Sequence, residues 1–254
     1  MKFYTALFVS LFALQTLWAQ EVMTPEKLWK LGRVGLEAVS QKGDAFIFGV
    51  TRYDIDKNKG ARDLYLYHLD DNKVVQITDM KGSEYGAQFL QNDQKIGFSN
   101  NGRFYLMDIA TQKHEVISQE QESWGNIKAY TMADNKLLLL FTKPVKLDPT
   151  TEDLYPELDQ ANVKIIDNLM YRHWDHWSDS EYNHLHYAYF DLSKNEISTP
   201  VDIMEGERSN TPVEPFGGSE SFTLNVKGSK IIYESKKMTG KDWAVSTNSD
   251  LYEY

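Results

Sequence analysis

Four of the six histidines fall between His173 and His186, with Asp175 and Asp179 among them. Imidazole plus carboxylate suits zinc or a similar ion, and His173-x-x-His176 or His184-x-His186 could each supply ligands. Neither spacing is a known ligand motif. On a strand, His184 and His186 share one face, which a polar cross-strand ladder explains as well. Paired carboxylates occur at Glu205 and Glu207 in Asp202-Ile203-Met204-Glu205-Gly206-Glu207-Arg208. They could receive a substrate ammonium, or form an ordinary solvated loop. Trp174 and Trp177 stand at i and i+3, which on a helix is one face. They could wall a substrate cavity, or serve only as a hydrophobic foot for their segment.

Nucleophilic serine chemistry needs a Ser on a sharp strand-to-helix turn, as in Gly-x-Ser-x-Gly. The nearest text, Gly217-Gly218-Ser219-Glu220-Ser221, lacks the last Gly and reads as a turn entering a strand. There is no cysteine, so thiolate metal sites, disulfides and Cys nucleophiles are excluded. No phosphate-cradling glycine loop is present. By its own residues the chain has no complete catalytic site and calls for no metal and no cofactor.

The elements that must carry these groups are repeats. Ser40-Gln41-Lys42-Gly43-Asp44 leads into Ala45-Phe46-Ile47-Phe48-Gly49-Val50, and an alternating run, Asp63-Leu64-Tyr65-Leu66-Tyr67-His68, follows. Turn residues followed by aromatic and β-branched residues mark antiparallel hairpins. The pattern returns at Asn92 to Asp108, at Ala133 to Phe141 with its answer at Leu185 to Asp191, and at Lys227 to Tyr254. Phe46, Ile96 and Leu137 begin successive copies about 40–50 residues apart, a period typical of β-propeller blades. The expected fold is therefore all-β: an incomplete β-propeller of about four blades, 36–79, 82–119, 124–202 and a truncated 221–254. A helical insert interrupts the third blade between Phe141 and Tyr182. Ahead of the blades, Thr24-Pro25-Glu26-Lys27-Leu28-Trp29-Lys30 within 21–35 reads as a short capped helix.

Residues 1–20 combine Lys2 with an apolar run and a small residue before polar sequence, the pattern of a secretory signal. A periplasmic or secreted location follows, with no membrane association after cleavage. Net charge is −10, and no basic cluster exceeds Lys236-Lys237, which argues against a nucleic-acid partner.

Longer stretches carry a resemblance. Met23-Thr24-Pro25-Glu26-Lys27-Leu28-Trp29, Gly32-Arg33-Val34-Gly35 and Asp153-Leu154-Tyr155-Pro156-Glu157-Leu158-Asp159 resemble the N-terminal propeller of the prolyl oligopeptidase family. Leu169-Met170-Tyr171-Arg172-His173-Trp174-Asp175-His176-Trp177, Asp202-Ile203-Met204-Glu205-Gly206-Glu207 and Ser246-Thr247-Asn248-Ser249-Asp250-Leu251-Tyr252 are similar to its bacterial dipeptidyl peptidases. The blade turns depart from the family's usual Ser-Pro-Asp-Gly by losing the Pro. The resemblance implies a secreted serine exopeptidase that removes dipeptides from peptide N-termini. It also implies a C-terminal α/β-hydrolase domain bearing a Ser-Asp-His triad, with the propeller gating access of the peptide substrate. The sequence stops at Tyr254 inside the fourth blade, so the chain is expected to be an N-terminal fragment without catalysis of its own. The alternative is a stand-alone periplasmic β-propeller binding module.

Overall fold

The computed structural model describes residues 22–118, 123–158, 160–167, 169, 171–177 and 180–254. The leader expected over 1–20, and Asp179 of the histidine cluster, lie outside the described residues. Helix α1, Pro25–Lys30, opens the described part. The Lys27 N–H donates to the Thr24 hydroxyl at 3.3 Å, Pro25 takes the first turn, and Glu26 complements the helix dipole. Trp29 meets Tyr53 edge-on at 5.1 Å, and Arg33 lies over both rings, which docks the helix. Arg33 already belongs to the first strand, so the helical segment is shorter than 21–35.

Among the described residues, four antiparallel sheets of three or more strands follow in chain order, with a two-stranded ribbon inserted in the third. The first is β1 Arg33–Val39, β2 Ala45–Asp54, β3 Lys59–His68 and β4 Lys73–Gln76, paired in sequence. The second repeats the meander with β5 Glu84–Leu90, β6 Lys95–Asn100, β7 Arg103–Asp108 and β8 His114–Val116. The third contains β9 Gly125–Met132 and β10 Lys136–Lys146. A detour follows, carrying one helical turn, α2 Thr151–Leu154, and a ribbon of β11 Arg172–His173 and β12 His176–Trp177. The sheet resumes with β13 Glu181–Asp191, to which β14 Glu196–Ile197 and β15 Val201–Asp202 both pair. The fourth is β16 Phe222–Leu224, β17 Ile231–Ser235 and β18 Asp250–Glu253, with α3 Gly240–Val245 between its last two strands.

The tight turns explain the meanders. Gly43, Asn92, Asp93, Asn101, Gly102 and Asn135 all adopt positive φ, which Gly and Asn tolerate at little cost. Between the turns, alternation decides which face packs where. Ile47, Leu64 and Leu66 of the first sheet meet Ile96, Phe98 and Met107 of the second. The other face of the second sheet, with Leu90, Phe104 and Leu106, meets Leu137, Leu139 and Phe141. Leu138, Leu140 and Leu185 then meet Phe222, Ile231 and Tyr233. The unbroken run Leu137 to Phe141 is thus a strand buried on both faces, which removes any need for polar alternation.

Neighbouring sheets are also joined by hydrogen bonds from their first strands. Ala87 N–H donates to the Glu37 carboxylate at 3.2 Å. The Gln88 amide donates to Ile127 O at 3.1 Å and accepts from Ala129 N–H at 2.9 Å. Lys128 Nζ donates to Phe222 O at 2.8 Å. Glu37 and Lys128 sit at or beside a register shift in their own strands, as does Gln88. A bulge turns one side chain out of the ladder and toward the next sheet. Glu37 also forms a buried ion pair with Arg62, whose guanidinium lies where a Cβ on Gly49 would stand, 2.2 Å from its central carbon.

Candidate functional site

The detour is not helical around its tryptophans. Arg172 pairs with Trp177 and His173 with His176 across a two-residue ribbon. Trp174 occupies its turn at φ 48°, and Arg172 Nε donates to Trp174 O at 2.9 Å. The i, i+3 spacing reflects a hairpin, in which the two rings part company, and the expected shared helical face is corrected accordingly. Trp174 points outward, and among the described residues its ring meets the exposed Phe216 and its neighbour His173, at ring distances of 5.8 and 5.0 Å. Trp177 lies against Tyr171 and the Lys164 and Arg172 cations. The helical texture expected near Leu154 amounts to α2, closed by a reciprocal Thr150–Asp153 capping box.

Trp177 lines a cavity of about 500 Å³ between the detour and the loops after β15 and β17. The detour contributes Ile166, Tyr171 and Trp177 together with Lys164 and Asp167, and the segment after β17 contributes Met238 and Trp243. The polar end is the cluster Asp148, Tyr182 and Arg208. Arg208 Nε donates to Asp148 Oδ1 at 2.8 Å, and the Tyr182 hydroxyl donates to Oδ2 at 2.8 Å. Burial pushes the Asp148 carboxyl up, but these two hydrogen bonds and the Arg208 charge outweigh it and hold the group below its ordinary value. Tyr182 is pushed up to about 12 by burial and by the Asp148 carboxylate. Both groups therefore keep one protonation state across the neutral range.

The loop 202–208 that carries Glu205 and Glu207 is built on a buried histidine. His184, fully buried on β13, places Nδ1 at 2.7 Å from the Asp202 carboxylate and Nε2 at 2.7 Å from Glu207 O. The Met204 N–H donates to Asp202 Oδ1 at 2.8 Å, and the Met204 side chain is buried beneath. This anchoring leaves Glu205 exposed beside Gly206, while the Glu207 carboxylate accepts from Lys237 Nζ at 2.8 Å. Neither carboxylate lines the cavity; their neighbours Arg208, Ser209 and Asn210 do.

The remaining histidines are dispersed. His186 Nδ1 sits 3.0 Å from His184 O, and its ring stacks near Phe141. Burial pushes its pKa down, against the opposing pull of that carbonyl and of Asp202. No group of three His, Asp or Glu side chains among the described residues could hold a metal ion. Ser219 begins one 3-10 turn, Ser219–Ser221, that runs into β16, and Glu220 accepts from the Gly218 N–H at 2.8 Å. Among the described residues no helix is long and apolar enough to cross a membrane. Asp148, Tyr182, Tyr171, Arg208 and Trp243 were not singled out from sequence. Arg208 had one available signal, since it is the lone cation closing an acidic run.

Comparison with known proteins puts this arrangement in context. No family model matches the chain. It is 35% identical to dipeptidyl-peptidase 5 of Porphyromonas gingivalis over 92% of its own length and 34% of that protein. With dipeptidyl-peptidase 5 of Porphyromonas endodontalis the identity is 27%, covering 92% of this chain and 33% of that one. The chain thus spans about one third of the length of these relatives. Its fold is similar to part of Pyrococcus horikoshii acylaminoacyl peptidase, with a TM-score of 0.57 at 12% identity, over 89% of this chain and 31% of that one. The chain is thus similar in sequence to the dipeptidyl-peptidase 5 proteins along a stretch corresponding to about one third of their length.

Proposed function

We propose that this chain is the substrate-gating β-propeller part of a periplasmic or secreted serine dipeptidyl peptidase. The α/β-hydrolase machinery belongs, on this reading, to polypeptide outside residues 1–254. The observation that carries the reading is the 35% identity to a dipeptidyl peptidase across nearly the whole chain but only a third of that enzyme. Successive four-stranded meanders whose first strands lie side by side support the propeller, since blades pack in this order around an axis. Trp177 and the cavity beneath it support a peptide-facing role for the detour, and Trp174, on the exposed turn of the same ribbon, would face the hydrolase. Glu205, the exposed carboxylate of the 202–208 loop, would receive the substrate's N-terminal ammonium. Glu207, already held by Lys237, would steady the loop and add charge.

The test is to sequence the reading frame past codon 254 and to assay both lengths of protein on free-amino dipeptide substrates. Dipeptide release by the longer product, and none by residues 1–254, is the expected result. A stop codon directly after a completed sheet, with no peptidase activity, would replace this reading with a stand-alone binding module.

A further inference from the structure

The cavity beside Trp177 has a chemistry of its own, and it fits one end of a peptide better than the other. At the end of the cavity built by Asp148, Ser209, Asn210 and Arg208, most acceptors are already engaged, while Lys164 and Asp167 of the detour and Thr239 add further polar groups to the lining. Both Asp148 oxygens accept, one from Arg208 and one from Tyr182. Ser209 Oγ is engaged by Ser235, and the Asn210 side chain accepts from Asn183 N–H on the strand side. Arg208 is different. Its Nε is committed to Asp148 and its Nη2 makes a long 3.4 Å contact with Leu147 O. Its Nη1 makes no hydrogen bond among the described residues, and the side chain is about half exposed. The cavity's polar end therefore presents a guanidinium edge, which donates only and remains charged at every accessible pH. Asp148 fixes that edge in place, so little side-chain freedom is lost when a ligand arrives.

Much of the rest of the lining is a partly open apolar wall. Tyr171 and Trp177 are each exposed by more than two fifths, and Ile166 is similarly exposed, although all three face the cavity. Aromatic and aliphatic side chains left half-wet around a concave site of about 500 Å³ are the composition of a small-ligand pocket. Two cations, Arg208 and Lys164, against one carboxylate unengaged among the described residues, Asp167, together with the rings of Tyr171, Trp177 and Trp243, favour a ligand with a carboxylate adjoining a bulky apolar group.

We propose that this cavity binds the C-terminal carboxylate of a short peptide whose last side chain is aromatic or large and aliphatic. The carboxylate pairs with the free edge of Arg208, and the side chain lies between Trp177 and Trp243. This deepens the peptidase reading by adding a preference for short peptides with a free carboxyl end, yet it does not depend on hydrolysis. A free carboxylate at this position distinguishes a short peptide from the interior of a long chain.

The probes are N-acetyl-phenylalanine and N-acetyl-phenylalaninamide, which share size and ring but differ in charge and lack any ammonium. Titration at pH 7, followed by tryptophan fluorescence and calorimetry, should show the acid binding at least about tenfold more tightly than the amide. Arg208→Gln should abolish that preference while leaving the amide's weak binding in place. Trp177→Ala should weaken both probes alike. Arg208→Lys, which keeps the charge, covers the case in which the Gln variant misfolds, and should retain only part of the preference. The preference should persist from pH 5 to 9 and fade near pH 3, where the ligand carboxylate protonates. Equal binding of acid and amide, an unchanged preference in Arg208→Gln, or no binding of either probe would each overturn the proposal. Failure of the peptidase reading would appear separately, as absent dipeptide release with this preference intact.

Discussion

Two histidines two residues apart on β13 do opposite things, and the difference is in what each ring nitrogen faces. His184 meets an acceptor at both nitrogens, so its ring works as a clamp between Asp202 and the Glu207 carbonyl. Replacing it with Phe leaves the Glu207 carbonyl and Asp202 Oδ2 without the ring, although Asp202 is partly exposed and keeps the Met204 N–H, so the cost is about 1–3 kcal/mol in total. His184→Phe should therefore lower the melting temperature and, on the proposed peptidase reading, also disturb substrate binding through the 202–208 loop. A stability loss with unchanged KM would limit His184 to a packing role. For His186, burial lowers the pKa below the ordinary 6.5, which favours the neutral ring. The unfolded chain takes up that proton first as pH falls, so this contribution to stability is present above pH 6.5 and is lost on descent through the folded value. Chemical denaturation at pH 7 and pH 5 should show the loss in the wild type. It should be smaller in His186→Phe, which still fills the space beside Phe141. The sequence displays both histidines, and even their shared strand, but not these partners. Asp202 lies 18 residues and Glu207 23 residues from His184, and no local pattern encodes that approach.

At the scale of elements, the strands were readable because each lies between a turn with its own chemistry and a run with its own periodicity. Ser40 to Asp44, Asn92 to Lys95 and Asn135 announce tight turns, and the doubly buried β10 announces itself by five apolar residues in a row. The ribbon of Trp174 and Trp177 was misread because i, i+3 spacing fits a two-residue turn as well as a helix, and no long apolar stripe was present to decide. The bulged first strands were also invisible, since a bulge is defined by register against a partner. Their polar side chains nevertheless join one sheet to the next. Gln88→Ala would strand the Ala129 N–H and Ile127 O together, so a loss of about 1–3 kcal/mol is expected by urea denaturation. Leu139→Ala, opening a cavity between the second and third sheets, should cost about 2–5 kcal/mol. Leu251, 76% exposed on β18, should change stability by less than about 0.5 kcal/mol when cut to Ala. If Gln88→Ala is as mild as the Leu251 control, the sheets are held by apolar packing alone.

For the whole molecule, the order of sheets leaves two faces without a neighbour, and they are unequal. The outer face of the fourth sheet alternates Ile232 and Leu251 with Glu234, Glu253 and Thr223. The outer face of the first sheet carries Arg52, Asp63 and Gln76 toward one end and an apolar and aromatic layer over the rest. Leu36 pairs with Phe48 and Phe48 with Tyr65, while Val39 pairs with Phe46, Phe46 with Tyr67 and Tyr67 with Val74. The rings are stacked along it, Phe46 on Tyr67 at 4.8 Å and Phe48 on Tyr65 at 5.4 Å. Val34, Leu36 and Val39 remain 69%, 67% and 58% exposed. Among the described residues, the apolar faces between the first and second, second and third, and third and fourth sheets are each covered by the next sheet, and an uncovered apolar face favours association. In the propeller reading it is the place for another blade. Residues 22–254 on their own should then self-associate through it, with a sedimentation coefficient that rises with protein concentration. Leu36→Lys combined with Val39→Lys places charges on the face without touching the core beneath β2, and should shift the protein back toward monomer with its melting temperature kept within a few degrees. A wild-type chain that stays monomeric at high concentration would mean that the stacked aromatic layer satisfies itself, and that the first sheet needs no partner.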